Sequence, residues 1–314
     1  MGKTYLVTGG AGFIGSHLTD ALLARGDAVV VVDNLISGKS GNLPVGNPSL
    51  HFFEADVREL DRIAAEIPAI DGIIHLAALI SGYDSLSAAD DYWDVNVTGL
   101  LRVIDFARER KIGRLVFASS STVYGNQEGV TLSEETPPRP LTVYALTKLA
   151  GEHLLRMYAP LGDYTHCSLR LFNVYGPRQS PDHPYANVTC KFSHAAANGL
   201  PVNLYGDGEQ SRDFVYVGDV VRAFLAVLDG SEREIYNVGT GSTAQIRELI
   251  GLLNGIGQRP LHVDQQPEWP NDIRSIRADT KRFQNEFGFK AEVPLADGLQ
   301  HTVDFFRQGA ALQE

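Results

Sequence analysis

The chain has 314 residues, 44% of them hydrophobic, enough to bury a full core and to hold two closely joined lobes. A formal net charge of -11 and the lack of any basic run argue against a nucleic-acid surface, and no apolar run approaches the ~20 residues of a membrane span. Two unclustered cysteines, Cys167 and Cys190, indicate neither a disulfide framework nor a zinc site, and the N-terminus enters a strand pattern directly, so a cytoplasmic protein without a metal is expected.

Residues 4–7 read as a buried strand, and Phe13, Ile14, Leu18, Leu22 and Leu23 recur at helical spacing. Between them runs Thr8-Gly9-Gly10-Ala11-Gly12-Phe13-Ile14-Gly15. Strand, glycine turn and helix in that order are the setting of a dinucleotide fingerprint. Gly9, Gly12 and Gly15 let the backbone approach a pyrophosphate, which rests on a helix N-terminus whose amides and dipole favour anions. A second strand over residues 28–32 ends at Asp33, 18 residues past Gly15, near the spacing of an acid that accepts from the adenosine ribose hydroxyls. A carboxylate there repels a 2′-phosphate, so NAD rather than NADP is expected. The plain alternative is a strand-end Asp that only opens a turn.

Further strands are expected at 51–54, 72–75, 114–117 and 165–169, with helices around 59–66, 92–110 and 144–159. Such alternation implies an α/β fold of Rossmann type, a doubly wound parallel sheet. After Asn173 the pattern is broken by Pro177, Pro181, Pro184 and Pro201, the mark of a smaller α/β substrate lobe. A strand and apolar helix over 214–228 return to the first lobe. The expected division is therefore 1–172 with 213–238, against 173–212 with 239–314.

Within the third of those helices stands Tyr144-Ala-Leu-Thr-Lys148. Residues four apart share a helix face. A free phenol, with a pKa of about 10, is a poor base at neutral pH, and a nearby ammonium favours phenolate. Lowering that pKa by about 3 would be worth roughly 4 kcal/mol. Tyr144 and Lys148 are thus candidates for moving a hydroxyl proton while a hydride passes to nicotinamide. The same pair on a solvated helix would be chemically idle.

The Gly-x-x-Gly-x-x-Gly spacing together with Tyr-x-x-x-Lys resembles the extended short-chain dehydrogenase/reductase family. Within it the chain is similar to NAD-dependent nucleotide-sugar epimerases and dehydratases, nearest the UDP-glucose 4-epimerase type. The likeness runs almost end to end, through Asp33-Asn34-Leu35, Asp56-Val57, His75-Leu76-Ala77-Ala78, Asn96-Val97-Thr98-Gly99, Ser119-Ser120-Ser121-Thr122-Val123-Tyr124-Gly125, residues 170–179 and residues 205–214. The resemblance implies cofactor contacts from Phe13, Ile14, Asn34, Ser37, Gly38, Asp56, Val57, Leu76, Ala77, Ala78 and Ser119 besides the glycines and Asp33. Asp56 would accept from the adenine amino group, and Asn96 would support the active-site backbone, a helix kink being the other reading of Asn96. Ser120 matches the catalytic Ser/Thr, with Ser121 one register away.

The resemblance also separates reactions. Dehydratases of the family carry an Asp-Glu pair after the catalytic Thr, and decarboxylases a Glu, where this chain has Ser121 and Thr122. Neither can serve as acid or base at ordinary pKa, which leaves 4-epimerisation by Ser120, Tyr144, Lys148 and a resident NAD. A 4-keto-sugar reductase and a non-catalytic NAD sensor are the rival readings. Asp33 disfavours the first and the intact triad the second. For a nucleotide-diphosphate sugar, Asn173, Arg212 and the backbone at Asn187 and Val188 are implied contacts, with Tyr205 on the base and Ser120, Ser121, Thr122 and Tyr144 at the sugar. An ion pair with Asp213 is the plain alternative for Arg212. The family's second diphosphate arginine falls at Trp269, three residues before Asp272, so either Arg274 or Arg277 substitutes, or the diphosphate is held less tightly, or the donor nucleotide differs, with packing or stacking on the base as the other reading of Trp269; Ile276 aligns with a position that bounds the sugar pocket. Equivalent helices form a dimer bundle in the family, so a homodimer is expected through 92–110 and 144–159, with Leu149, Leu154, Leu155 and Met157 outside the core stripe.

Overall fold

The computed structural model describes residues 2–127, 129–182, 186–231, 233–268 and 273–311. Trp269, Asp272 and Pro184 lie outside them. The chain divides into two compact units: Met1–Gly125 with Thr136–Leu171 and Val221–Asn237, and Asn126–Glu135 with Phe172–Val220 and Val238–Glu314. The segment that goes back to the first unit begins at Val221, and a short excursion at 126–135 belongs to the second.

The first unit is built on β1 (Thr4–Thr8), α1 (Phe13–Ala24), β2 (Ala28–Asp33), β3 (Leu50–Glu54), a short α2 (Leu60–Ile63), β4 (Gly72–His75), α3 (Ala89–Trp93), α4 (Gly99–Glu109) and β5 (Arg114–Ser120). A two-residue β6 (Thr131–Leu132) precedes α5 (Val143–Gly162) and β7 (Thr165–Leu171). Valines at 29–32 are β-branched and buried on both faces, as a central parallel strand requires. The sheet order is β12-β7-β5-β4-β1-β2-β3, with β12 at Ile235–Val238, and β1 pairs in parallel with both β2 and β4. Strand order therefore reverses beside β1, and ligand crevices of doubly wound sheets open at the carboxyl ends of strands at that point. The glycine turn and residues 76–78 both leave the sheet there.

The expected helix over 92–110 is real but not uniform. Asp94–Thr98 form a π-helical turn between α3 and α4, with Asn96 inside it; such turns cluster at functional sites. The expected helix at 59–66 shrinks to one turn plus a 3₁₀ turn at Val57–Glu59. Leu155 proves to be a core residue of this unit, with Leu154 packed against the same cluster. The outward apolar side chains are Trp93, Leu146, Met157 and Leu161.

In the second unit are β8 (Asn173–Tyr175), α6 (Val188–Asn198), β9 (Val202–Tyr205), β10 (Ser211–Arg212) and β11 (Phe214–Tyr216), then α7 (Val217–Val227), which carries the chain across, and β12. It continues with β13 (Ala244–Gln245), α8 (Ile246–Ile256), β14 (Val263–Gln266), β15 (Ser275–Ala278), α9 (Lys281–Phe287) and α10 (Leu295–Ala311). A four-stranded sheet runs β13-β10-β15-β6, and β8–β11 and β9–β14 form parallel pairs. Phe192, Leu249, Leu253, Leu299 and Val303 join α6, α8 and α10 in one apolar cluster.

Candidate active site

At the cradle, Gly9 sits at φ +70°, a left-handed conformation that favours glycine. A Cβ on Gly15 would lie 2.1 Å from the Gly9 carbonyl oxygen, and one on Gly9 would lie 2.8 Å from Ala77 N. The turn and the 76–78 segment are therefore pressed together backbone to backbone. Gly12 caps α1 without a side-chain hydrogen bond, and its first turn, with Phe13 and Ile14, holds no acid. This leaves an electropositive N-terminus for phosphate.

Asp33 is buried, accepting from Ala11 N at 3.0 Å and Leu35 N at 2.9 Å. A carboxylate has about four acceptor sites, so ribose hydroxyls find room. Gly38 is small because a Cβ would lie 2.8 Å from Asp33 Oδ1; Ser37 beside it is exposed. Asp56 accepts from Asn34 Nδ2 (3.0 Å) and from a fork of Arg58 Nε and Nη2 (2.8 Å each), the arginine first among the groups that hold its pKa down at about 2. Its carboxylate is therefore charged and already tied; Val57 beside it is buried. The glycine cradle, the uncapped helix start and Asp33 fit a dinucleotide with an unphosphorylated ribose.

Asn96 acts from within its π turn. Its side chain accepts from Leu79 N (2.8 Å) and donates to Leu79 O (3.0 Å) and Thr147 Oγ1 (3.0 Å). Thr147 in turn donates to the Tyr144 carbonyl at 2.7 Å. Support of the backbone and a departure from α geometry are thus one feature.

Thr142 caps α5 through Ala145 N (3.2 Å), which sets Tyr144 in the first turn. The Tyr144 phenol faces the side chain of Ser120, the group that favours its phenolate form. Ser120 also accepts from Thr122 N (3.2 Å) and Thr122 Oγ1 (2.9 Å), closing the 3₁₀ turn Ser121–Tyr124. Ser119 faces elsewhere and donates to Glu152 Oε1 at 2.5 Å. Of the three serines, Ser120 is the one on the tyrosine. Lys148 is buried, its Nζ donating to Ala118 O at 2.9 Å and lying 5.8 Å from the Tyr144 ring centroid.

The electrostatics correct the expectation of an already acidified phenol. Burial pushes Tyr144 up to about 12, against a smaller lowering by Ser120, and burial drives Lys148 down to about 7. Helical spacing brought the pair together as expected, but spacing carries no information on desolvation, which is the largest cause of both shifts. Two supporting residues gave no local signal. The Thr8 hydroxyl accepts from the amides of Leu76 and Ala77 (3.3 Å each), leaving its proton for His75 Nδ1 at 2.7 Å. His75 is thereby assigned the Nε2–H tautomer, and burial lowers its pKa to about 3.

In the second unit, Arg212 Nη1 donates to the carbonyls of Ile273 (2.5 Å) and Ser211 (3.0 Å). Asp213 turns the other way, buried and accepting from Thr240 N (2.8 Å), Thr240 Oγ1 (2.7 Å), Gly241 N (2.9 Å) and Ala278 N (3.1 Å). These contacts make Asp213 an anchor of this unit, where the alternative reading had it paired with Arg212. Ile276 is buried opposite Arg212 in the β10–β15 register. Asn173 donates to Asp213 O at 3.3 Å, and Asn187 caps α6, which begins at Val188, through Cys190 N at 2.9 Å. Tyr205 is exposed. Arg274 forks onto Asp207 (2.8 and 2.7 Å) and reaches Glu209 (2.9 Å), while Arg277 bonds Thr131. The expected stand-in arginine is held by two carboxylates. Among the described residues no cluster of His, Cys, Asp and Glu could hold a metal, and no helix is long and apolar enough to cross a membrane.

The chain is similar to known proteins along nearly its whole length. A UDP-glucose 4-epimerase of Mycolicibacterium smegmatis is 39% identical over 310 residues, covering 96% of this chain and 98% of that protein. The UDP-glucose 4-epimerase of Thermus thermophilus, solved in complex with NAD, superposes with a TM-score of 0.90 at 38% identity over 97% of this chain and 99% of its own. The Thermotoga maritima UDP-glucose 4-epimerase, solved with UDP-glucose, gives 0.92 at 33% identity, covering 98% and 99%. The sequence matches the family described as NAD dependent epimerase/dehydratase over residues 5–239, and the chain belongs to that family.

Proposed function

We propose that the protein is a cytosolic UDP-hexose 4-epimerase, acting on UDP-glucose and UDP-galactose or their N-acetyl forms. The observation that carries this is Ser120 facing the Tyr144 phenol, with buried Lys148 beside the same ring, and Ser121 and Thr122 where an eliminating enzyme needs an acid and a base. NAD, when bound, supplies the place where the C4 hydride is taken up and returned, and a positive charge that favours phenolate. Ser120 holds the 4-hydroxyl and Tyr144 takes its proton as the C4–H bond breaks. The resulting keto sugar turns over, and Tyr144 gives the proton back as hydride returns to the opposite face. Lys148 stabilises the phenolate through charge and carries no proton to the sugar. Atoms and electrons balance without an external reductant, so the cofactor cycles in place.

Asn173, Val188, Tyr205 and Arg212 are proposed for the nucleotide-diphosphate side, where a guanidinium fork suits phosphate oxygens. Arg274 would first have to leave Asp207 and Glu209. The exposed Trp93, Leu146, Met157 and Leu161 support a homodimer through α3 and α5, and a monomer by light scattering would remove that part of the reading. The deciding experiment incubates the purified protein, without added cofactor, with UDP-glucose, UDP-galactose, their N-acetyl forms and UDP-glucuronic acid. Products are followed by mass and proton NMR. Unchanged mass with inverted C4 is expected; loss of water or of carbon dioxide would overturn the reading.

A further inference from the structure

Three consecutive residues of β5 are tied to three successive turns of α5. Ser120 faces the Tyr144 phenol, the Ala118 carbonyl accepts from Lys148, and Ser119 donates to Glu152. Residues 144, 148 and 152 share one helix face. The third tie is the least explained by the reaction, because Glu152 reaches neither the phenol nor the cradle. It meets Arg170 on β7, the strand neighbour of Ser119. Glu152 Oε1 accepts Arg170 Nε at 2.9 Å and Oε2 accepts Nη2 at 2.7 Å, all three side chains being buried. The Arg170 guanidinium lies 4.8 Å over the ring of Tyr124, whose hydroxyl donates to Asn237 Oδ1 at 2.6 Å.

The ion pair therefore grips the chain on both sides of Ser120, at Ser119 before it and at Tyr124 after it. Stability is a poor reason for such a pair. Desolvating two charges offsets most of their attraction, and an apolar pair of similar volume is often as stable or more so. Arg170 Nη1 is moreover buried without a hydrogen-bond partner, a further cost. What an apolar pair would lose is direction: the charged fork fixes where the Ser119 hydroxyl, and with it the Ser120 carbon, stands relative to Tyr144.

We infer that Glu152 and Arg170 are positioning residues for the epimerisation, holding Ser120 at the phenol through Ser119 and Tyr124. This rests on the proposed function for its kinetic consequence and on the fold alone for its structural one. The test compares the NAD-loaded wild type with the double variant Glu152→Leu/Arg170→Met and with Ser119→Ala. The double variant is expected to melt within a few degrees of the wild type and to show faster amide exchange across residues 118–124. Its kcat should fall on the order of 10- to 100-fold at little-changed KM, the signature of misplacement. A folded double variant with wild-type exchange and kcat overturns the inference. Should that variant not fold, Ser119→Ala decides. It deletes one hydroxyl, and lower kcat at constant KM is expected, whereas an unchanged kcat overturns the inference. A wild type that epimerises no UDP-hexose would overturn the proposed function instead, with the exchange comparison still deciding the positioning claim.

Discussion

Replacing Lys148 with Met should remove catalysis and yet stabilise the cofactor-free protein. Burial lowers the ammonium from 10.5 to about 7, and each tenfold weakening of proton binding corresponds to about 1.4 kcal/mol. The folded state thus pays on the order of 5 kcal/mol to keep Lys148 charged. The hydrogen bond to Ala118 O returns about 2 kcal/mol, as bonds to charged groups do. A net gain of about 3 kcal/mol is left for Met, which fills a similar volume without a charge. By linkage, a depressed folded pKa means that the unfolded chain binds the proton more tightly. The penalty is therefore fully present below pH 7, shrinks between pH 7 and 10.5, and vanishes above. Urea denaturation of NAD-stripped wild type and variant at pH 6, 8 and 9.5 isolates the effect, because buried tyrosines titrate alike in both. The variant's advantage should be greatest at pH 6 and fall by about 1.4 kcal/mol per pH unit above 7. A variant less stable than wild type at pH 6, or an advantage that does not change with pH, would refute the reasoning.

Tyr144→Phe should lower kcat by on the order of 10²- to 10⁴-fold with little change in melting temperature, checked by initial rates and calorimetry. Gly15→Ala places a methyl 2.1 Å from the Gly9 carbonyl, so the turn must open; protein purified from this variant should carry no NAD in its absorbance spectrum and lose about 1–3 kcal/mol of stability. Asp213→Ala leaves the amides of Thr240, Gly241 and Ala278 without their acceptor. At about 1–3 kcal/mol for each buried group, urea denaturation should show a loss above about 3 kcal/mol, partly restored in Asp213→Asn.

What the sequence made legible was whatever short-range periodicity encodes. The valine run of β2, the glycine turn after β1 and the tyrosine–lysine step on α5 each depend on residues within one or two turns of each other, so pattern and structure coincide. Asp213 shows the opposite case. Beside an arginine it reads as half of a surface ion pair, whereas its acceptors' partners lie 27, 28 and 65 residues away in sequence, and no local rule reaches that far. Glu152 continued the Tyr144, Lys148 face by one more turn, a signal that was present; its meaning required Arg170, on a strand that only the sheet register brings alongside. The two-residue strands β6, β10 and β13 are too short for any alternation to register. Arg274 was legible as a cation near the right place and illegible as the partner of Asp207 and Glu209.

The raised phenol pKa follows the same logic and bears on how the chemistry is controlled. Near the carboxyl ends of β4 and β5 lie three titratable groups, His75 and Lys148 buried and Tyr144 half-buried, and desolvation moves each toward its uncharged form: His75 to about 3, Lys148 to about 7, Tyr144 to about 12. Thr8 consolidates the first by donating to His75 Nδ1, so the imidazole stays neutral and adds no second cation next to Lys148. Repulsion from Lys148 lowers the His75 pKa further, so a charged His75 would compete with the ammonium. The fold therefore holds a protonated phenol next to a lysine poised to lose its proton, an arrangement that is inert by itself at neutral pH. Added positive charge in the site favours phenolate, and the oxidised nicotinamide of NAD, when bound, would supply one. On the proposed function, proton removal from a sugar hydroxyl would thus be tied to the oxidation state of the cofactor.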